Sequence, residues 1–186
     1  MRRLHDSSPH GELCDAALMS DTPSETGTST TTDRMEVQRT IKADPSAIFA
    51  VLSDPDGHVS IDASGMLMSA TGDAASKVGD TFEIHMDREA LNDFPLGEYD
   101  VTVKFVTFEQ DREIAWTIEG LIKPPIGHVY GYRLEPGDDG TTVVTSYYDW
   151  SAINDEWRER GIFPVIPESA LRATLGILAR TVTAST

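Results

Sequence analysis

Eight side chains in this sequence stand out as candidates for proton transfer: His58, Asp62, His85, His128, Tyr99, Tyr130, Tyr132 and Tyr148. An imidazole or carboxylate could take a proton from a carbon acid, and a phenol O–H could donate to the enolate oxygen that develops. His58 and Asp62 fall in the segment after an expected helix and could form an oriented imidazole–carboxylate pair. The plainer reading, a loop histidine with an ordinary surface hydrogen bond, is favoured. His85 alternates away from Phe82 and Ile84 and is expected to face solvent. His128 opens a strand just after Gly127 and could point into the mouth of a pocket.

Other chemistries find less support. No histidine pair, and no histidine with a carboxylate, has the helix or loop spacing of a metal site, and His5 and His10 lie in an N-terminal tail. No metal or other cofactor is therefore expected. The run Asp62-Ala-Ser64-Gly65-Met66 lacks the glycine two residues before serine that a nucleophile elbow requires. Gly137-Asp-Asp-Gly140 is too short to cradle a phosphate and reads as a turn. What remains is an aromatic set, Trp116, Tyr130, Tyr132, Tyr148 and Trp150. Tyr and Trp join a large apolar body to one polar tip, which suits a mostly hydrophobic ligand carrying a few oxygens. Plain core packing explains the same residues.

Most of that set belongs to one hairpin, His128 to Trp150, two β-rich stretches joined by Pro-Gly-Asp-Asp-Gly. Alternation puts Tyr130, Tyr132 and Leu134 on one face of its first strand, and Val144, Ser146, Tyr148 and Trp150 on one face of its second. Upstream, the pattern predicts strands over 35–42, 66–71, 81–86, 98–109 and 113–119, with a bulge or twist near the end of the 98–109 strand. Arg39 falls on the apolar face of the first strand, where a stem laid on the core with the head in water is the expected arrangement. A short helix is expected from Pro45, capped by Asp44 and stopped at Asp54-Pro55. Residues 152–162 read as a polar connector. Leu171, Thr174, Leu175, Leu178, Thr181 and Val182 then recur at spacings of three and four, which predicts a helix over about 167–182 with one buried side. Gly176 inside it costs about 1 kcal/mol against alanine, so a close approach beside the helix is one reason to carry it.

At 186 residues one domain with a full core is expected. The net charge of −16, from 15 basic and 31 acidic side chains, argues against nucleic acid and against anionic membranes. Stable membrane insertion is not expected either, since no run of about 18 apolar residues exists. Cys14 is the only cysteine, so no disulfide framework is available; with no apolar leader visible, a cytoplasmic setting is the expectation. Residues 1–34, with the tract Ser20 to Asp33, offer too little apolar surface to offset ordering and are expected to be a disordered tail ahead of a domain over 35–186. The order of strand, short helix, six strands and long helix is α+β.

The run Asp44 to Pro55, then Ile114-Ala-Trp116, Gly140 to Thr145 and Tyr148-Asp-Trp150 together resemble the polyketide cyclase/dehydrase and lipid-transport family of the START-like (SRPBCC) superfamily, over about residues 35–183. The resemblance implies a helix-grip fold: a curved antiparallel sheet of six to seven strands around a long C-terminal helix, with a deep cavity between them. It further implies that the segment holding His58 and Asp62 borders the cavity. On that basis a small hydrophobic molecule, lipid, sterol-like or polyketide-like, is the expected partner. Its expected contacts are Phe49, Tyr99, Val101, Val103, Trp116, Tyr130, Tyr132, Tyr148, Trp150, Leu171, Leu175 and Leu178. His58, Asp62 and His128 are the candidate catalytic groups if the protein is instead a cyclase or dehydratase. A sensor or adaptor for a protein partner is the third reading.

Overall fold

The fold is described from a computed structural model covering residues 33–92 and 95–184. The expectation for the tail therefore lies, apart from its last two residues, outside the described residues. Seven strands form a single antiparallel sheet: β1 (Arg34–Ile41), β2 (Leu67–Thr71), β3 (Thr81–Asp87), β4 (Glu98–Glu109), β5 (Glu113–Glu119), β6 (Val129–Pro136) and β7 (Thr142–Asp149). Their spatial order is β1-β7-β6-β5-β4-β3-β2, so β1 and β2 are the edges and the predicted hairpin is central to one half. Its register sets Tyr130 opposite Tyr148, Tyr132 opposite Ser146 and Leu134 opposite Val144. The bulge expected in β4 is present, as a register shift between Phe105 and Thr107 that brings both Phe105 and Phe108 to the core side.

Among the described residues there are also four α-helices, α1 (Pro45–Ser53), α2 (Pro55–Ile61), α3 (Asp155–Glu159) and α4 (Glu168–Ala184). Asp44 precedes α1 as expected, but its side chain makes no capping bond; its backbone carbonyl accepts from Ala47 and Ile48 instead. The larger difference follows. Asp54-Pro55 ends α1 and at once begins α2, because Pro55 has the preset φ of a first helical residue and the Asp54 carboxylate accepts from Gly57 N–H at 2.9 Å. The two helices meet so closely that any β-carbon on Gly57 would strike the Val51 carbonyl.

The core is one cluster on the inner face of the sheet. Val37, Ile41, Phe82, Ile84, Val103, Phe105, Ile114, Leu134 and Val144 come from the strands, Ile48, Phe49 and Leu52 from α1, and Leu171, Leu175, Leu178 and Val182 from α4. The predicted buried stripe of α4 thus packs as expected. The helix lies over the β1–β7 side of the sheet and against α1 and α2.

Candidate functional site

Antiparallel connection puts the β3–β4, β5–β6 and β7–α4 segments at one end of the sheet. Along the inner face, exposure is graded toward that end. At the other end Phe105, Ile114, Leu134 and Val144 are no more than 3 % exposed, whereas Met86, Tyr99, Ile118 and Tyr130, one from each of β3 to β6, are only half-buried. Between these extremes Trp116 stacks on Tyr132 with ring centroids 5.8 Å apart. The inner face is therefore most fully covered at the α1 end and less covered at the end where the three connections meet.

The polar groups of this less covered end form one linked set. His128 Nδ1 and the Tyr148 hydroxyl are 2.8 Å apart, and the Tyr130 ring stacks on Tyr148 at 4.6 Å. The Tyr148 oxygen also meets the Tyr130 hydroxyl and the backbone N–H of Val165. Burial lowers His128 to about 4, so the imidazole is neutral at pH 7; with its Nδ1–H donating to the Tyr148 oxygen, the Tyr148 proton goes to the Tyr130 oxygen and the Tyr130 proton is left for another acceptor. Burial pushes the Tyr148 phenol strongly upward and Tyr130 up to about 12, with Tyr148 and the Arg88 guanidinium pulling Tyr130 the other way. Both phenols stay protonated. Tyr148 is fully covered, which leaves the half-buried Tyr130 as the hydroxyl of the set that a guest could reach. Deeper in, Ser146 Oγ is buried opposite Tyr132, whose hydroxyl is the polar group it meets.

His58 departs from both expectations. It lies within α2, not in a loop, and is buried against Phe82 at 4.9 Å and Trp116 at 4.4 Å. Its Nε2 is 2.8 Å from the Leu52 carbonyl and, facing an acceptor, must carry the proton. Nor does it pair with Asp62, whose carboxylate accepts from Ser64 and from the Leu67 backbone N–H, fixing the turn into β2. One helical turn separates residues four apart, but Asp62 is already the C-cap of α2 and turns away. Burial lowers His58 to about 4, partly countered by the Leu52 carbonyl, so it packs as a neutral ring. His85 faces outward as expected, with Nδ1 2.9 Å from Asp100.

The expected ligand contacts divide by depth. Phe49, Val103, Leu175 and Leu178 are sealed at 1 % or less and close the far end; Val101, Trp116, Tyr132, Trp150 and Leu171 keep slight exposure; Tyr99 and Tyr130 border the opening. Sequence reasoning did not include Arg88, Phe163 and Val165 in this set. Phe163 packs edge-on to His128 at 6.0 Å, and the 150–167 segment reaches it only by folding back on the β5–β6 connection, where Asn154 Nδ2 donates to the Pro125 carbonyl. Around the opening, Leu91, Leu96, Leu121, Ile122, Ile162 and Val165 are exposed. Two outer-surface grooves, one between α1, α2 and Thr181 and one between β1 and α4, contain none of these aromatic groups.

Fold and site together define a helix-grip protein whose inner sheet face is more exposed at one end, beside a cluster of phenols and an imidazole. The model of the family described as polyketide cyclase / dehydrase and lipid transport matches residues 32–183, and the chain belongs to that family. Solved structures share the fold at low identity. Protein CV1439 from Chromobacterium violaceum is 14 % identical with a TM-score of 0.58, covering 81 % of this chain and 96 % of its own. The Zhui aromatase/cyclase from Streptomyces sp. R1128 is 16 % identical with a TM-score of 0.57, covering 81 % and 93 %. The Aha1 dimer from Colwellia psychrerythraea is 19 % identical with a TM-score of 0.52, covering 80 % and 95 %. No curated protein sequence matches the chain. No helix among the described residues is long and apolar enough to cross a membrane.

Proposed function

We propose that the protein binds a small, mainly apolar molecule of lipid or polyketide type at the open end of its sheet, with the Tyr130 hydroxyl donating to an oxygen of the guest. The observation that carries this reading is the graded exposure of the inner face, sealed by Phe105 and Ile114 and open at Met86, Tyr99, Ile118 and Tyr130. A ring of exposed apolar side chains on the surrounding connections suits entry of an oily guest. Membership of a family described by cyclase, dehydrase and lipid-transport roles fits the same class of ligand.

Binding is preferred to cyclisation or dehydration for an electrostatic reason. A general base works best when its pKa lies near the operating pH. His128 and His58 are both lowered to about 4 and are weak bases, Asp62 is committed to a turn, and Tyr130 at about 12 is a donor rather than a base. A cytoplasmic setting accompanies this reading, since one cysteine is all the thiol chemistry the chain carries.

Trp116, Trp150 and Trp157 all pack on the core from this side of the fold, so their emission reports occupancy. Titration with the neutral probe N-phenyl-1-naphthylamine is expected to show saturable energy transfer from tryptophan. Ile118→Trp, which fills the opening, is expected to abolish it. Tyr130→Phe is expected to leave the probe unaffected while weakening an oxygen-bearing competitor about fivefold, the worth of one hydrogen bond near 1 kcal/mol. Probe binding that Ile118→Trp leaves unchanged would refute the site.

A further inference from the structure

On a chain of net charge −16, an unneutralised cluster of cations is the exception to explain. Arg34, Lys104, Arg133, Arg158, Arg160 and Arg172 each meet a carboxylate. Arg39, Lys42 and Arg180 make no such pair among the described residues, and all three line one groove of about 390 Å³ between the end of β1 and the last turns of α4. With 31 carboxylates in the chain, partners were not scarce. Holding three like charges around one hollow raises the free energy of the empty protein, and an anion seated there relieves it.

The backbone explains why the hollow exists. Val37 and Ile41 are buried beneath α4, and Arg39 shares their face of β1 by alternation, yet Arg39 is exposed. Its guanidinium runs beside Gly176, where an added β-carbon would lie 3.8 Å from Nη1, an ordinary van der Waals contact. Gly176, Ala179, Arg180 and Thr183 fall on one side of the helix at spacings of three and four and line the groove, with Arg180 its cation and the Thr183 hydroxyl donating back to the Ala179 carbonyl. Among the described residues β1 is an edge strand, and no neighbouring strand covers the groove on that side.

We infer that this groove is an anion site for a phosphoryl group. Two guanidinium forks and an ammonium match the charge and the several acceptor oxygens of a phosphate monoester better than a single carboxylate. The phosphoryl group could be that of a small phosphate ester or of a lipid headgroup, and the experiment separates the two. The site lies outside the apolar opening and stands or falls independently of it.

The full chain is titrated with inorganic phosphate and with glycerol 3-phosphate by calorimetry, and with sedimenting vesicles of phosphatidylcholine with and without phosphatidic acid. The comparison protein carries Arg39→Gln, Lys42→Gln and Arg180→Gln, all exposed positions, with Arg180→Gln alone as the second variant. Saturable phosphate binding is expected, weakened at least about tenfold in the triple variant and falling with added salt. Vesicle capture that needs both phosphatidic acid and the three cations assigns the headgroup; soluble-ester binding without vesicle capture assigns the small ester. Binding that survives in the triple variant, or no binding in any arm, overturns the inference.

Discussion

Between about pH 6.5 and about pH 4 the folded state is expected to lose on the order of 6 kcal/mol of stability through two histidines alone, about 3 from each. His58 and His128 are both buried, and both are lowered from 6.5 to about 4 by desolvation of the charged ring. In the unfolded chain each would take a proton near pH 6.5, while the native state refuses it until about pH 4. Across that window the unfolded state binds more protons, so stability rises with pH; below it both states are protonated and this loss levels off. A domain is typically stable by only about 5–15 kcal/mol, so the loss is large enough to unfold this one. Urea unfolding at pH 7 and at pH 4.5 measures it, with His58→Gln/His128→Gln as the comparison. The double variant should keep most of the carboxylate-driven pH dependence and lose the histidine part, so an identical slope in both proteins would mean that neither ring is excluded from water.

The second large effect is expected from Phe105→Ala, a loss of about 3–5 kcal/mol, the range for deleting a fully buried phenyl ring. Phe105 is 1 % exposed and is the hub of the sealed end, edge-on to Phe82 at 5.7 Å, Trp116 at 6.0 Å, Phe108 at 6.2 Å and His58 at 6.3 Å. The variant should also couple to the first prediction. Water admitted beside His58 weakens the desolvation that lowers it, so its pKa should move back toward 6.5 and the acid sensitivity of the variant should shrink. Chemical denaturation at pH 7 gives the first quantity, and proton NMR titration of the His58 ring gives the second. A cost below about 1 kcal/mol, within the range of isosteric core changes, would show that the sealed end is loosely packed.

Much of this fold was legible because its signals are periodic. The hairpin from His128 to Trp150 announces itself by alternation on either side of a Gly-rich reversal, and its register alone sets Tyr130 beside Tyr148. The stripe from Leu171 to Val182 likewise finds α4 and its buried side. Proline was misleading at Pro55: the same residue that ends α1 also starts α2, and only the Asp54 cap distinguishes a stop from a junction. That junction is what carries His58 inward while Asp62 turns to Ser64 and Leu67, so the imidazole–carboxylate pair weighed as the alternative to a loop histidine does not form.

The site was less legible than the fold. Tyr130, Tyr148 and His128 could be gathered from strand register, but Val165, Phe163 and Arg88 reach them from connections whose paths follow no repeat. Alternation also marked Arg39 as a charged residue on an apolar face, and Gly176 as a costly residue in a helix. What the one-dimensional pattern did not carry is that the two are neighbours, with Lys42 and Arg180 beside them.

The most direct measurement of the central claim is native mass spectrometry of the full chain purified from its source organism without denaturants, beside Ile118→Trp prepared in the same way. The account predicts that the natural protein carries one stoichiometric adduct which passes into organic solvent on extraction, and that Ile118→Trp arrives bare. A bare mass for both proteins in repeated preparations, or an adduct that the filled opening retains, would contradict it.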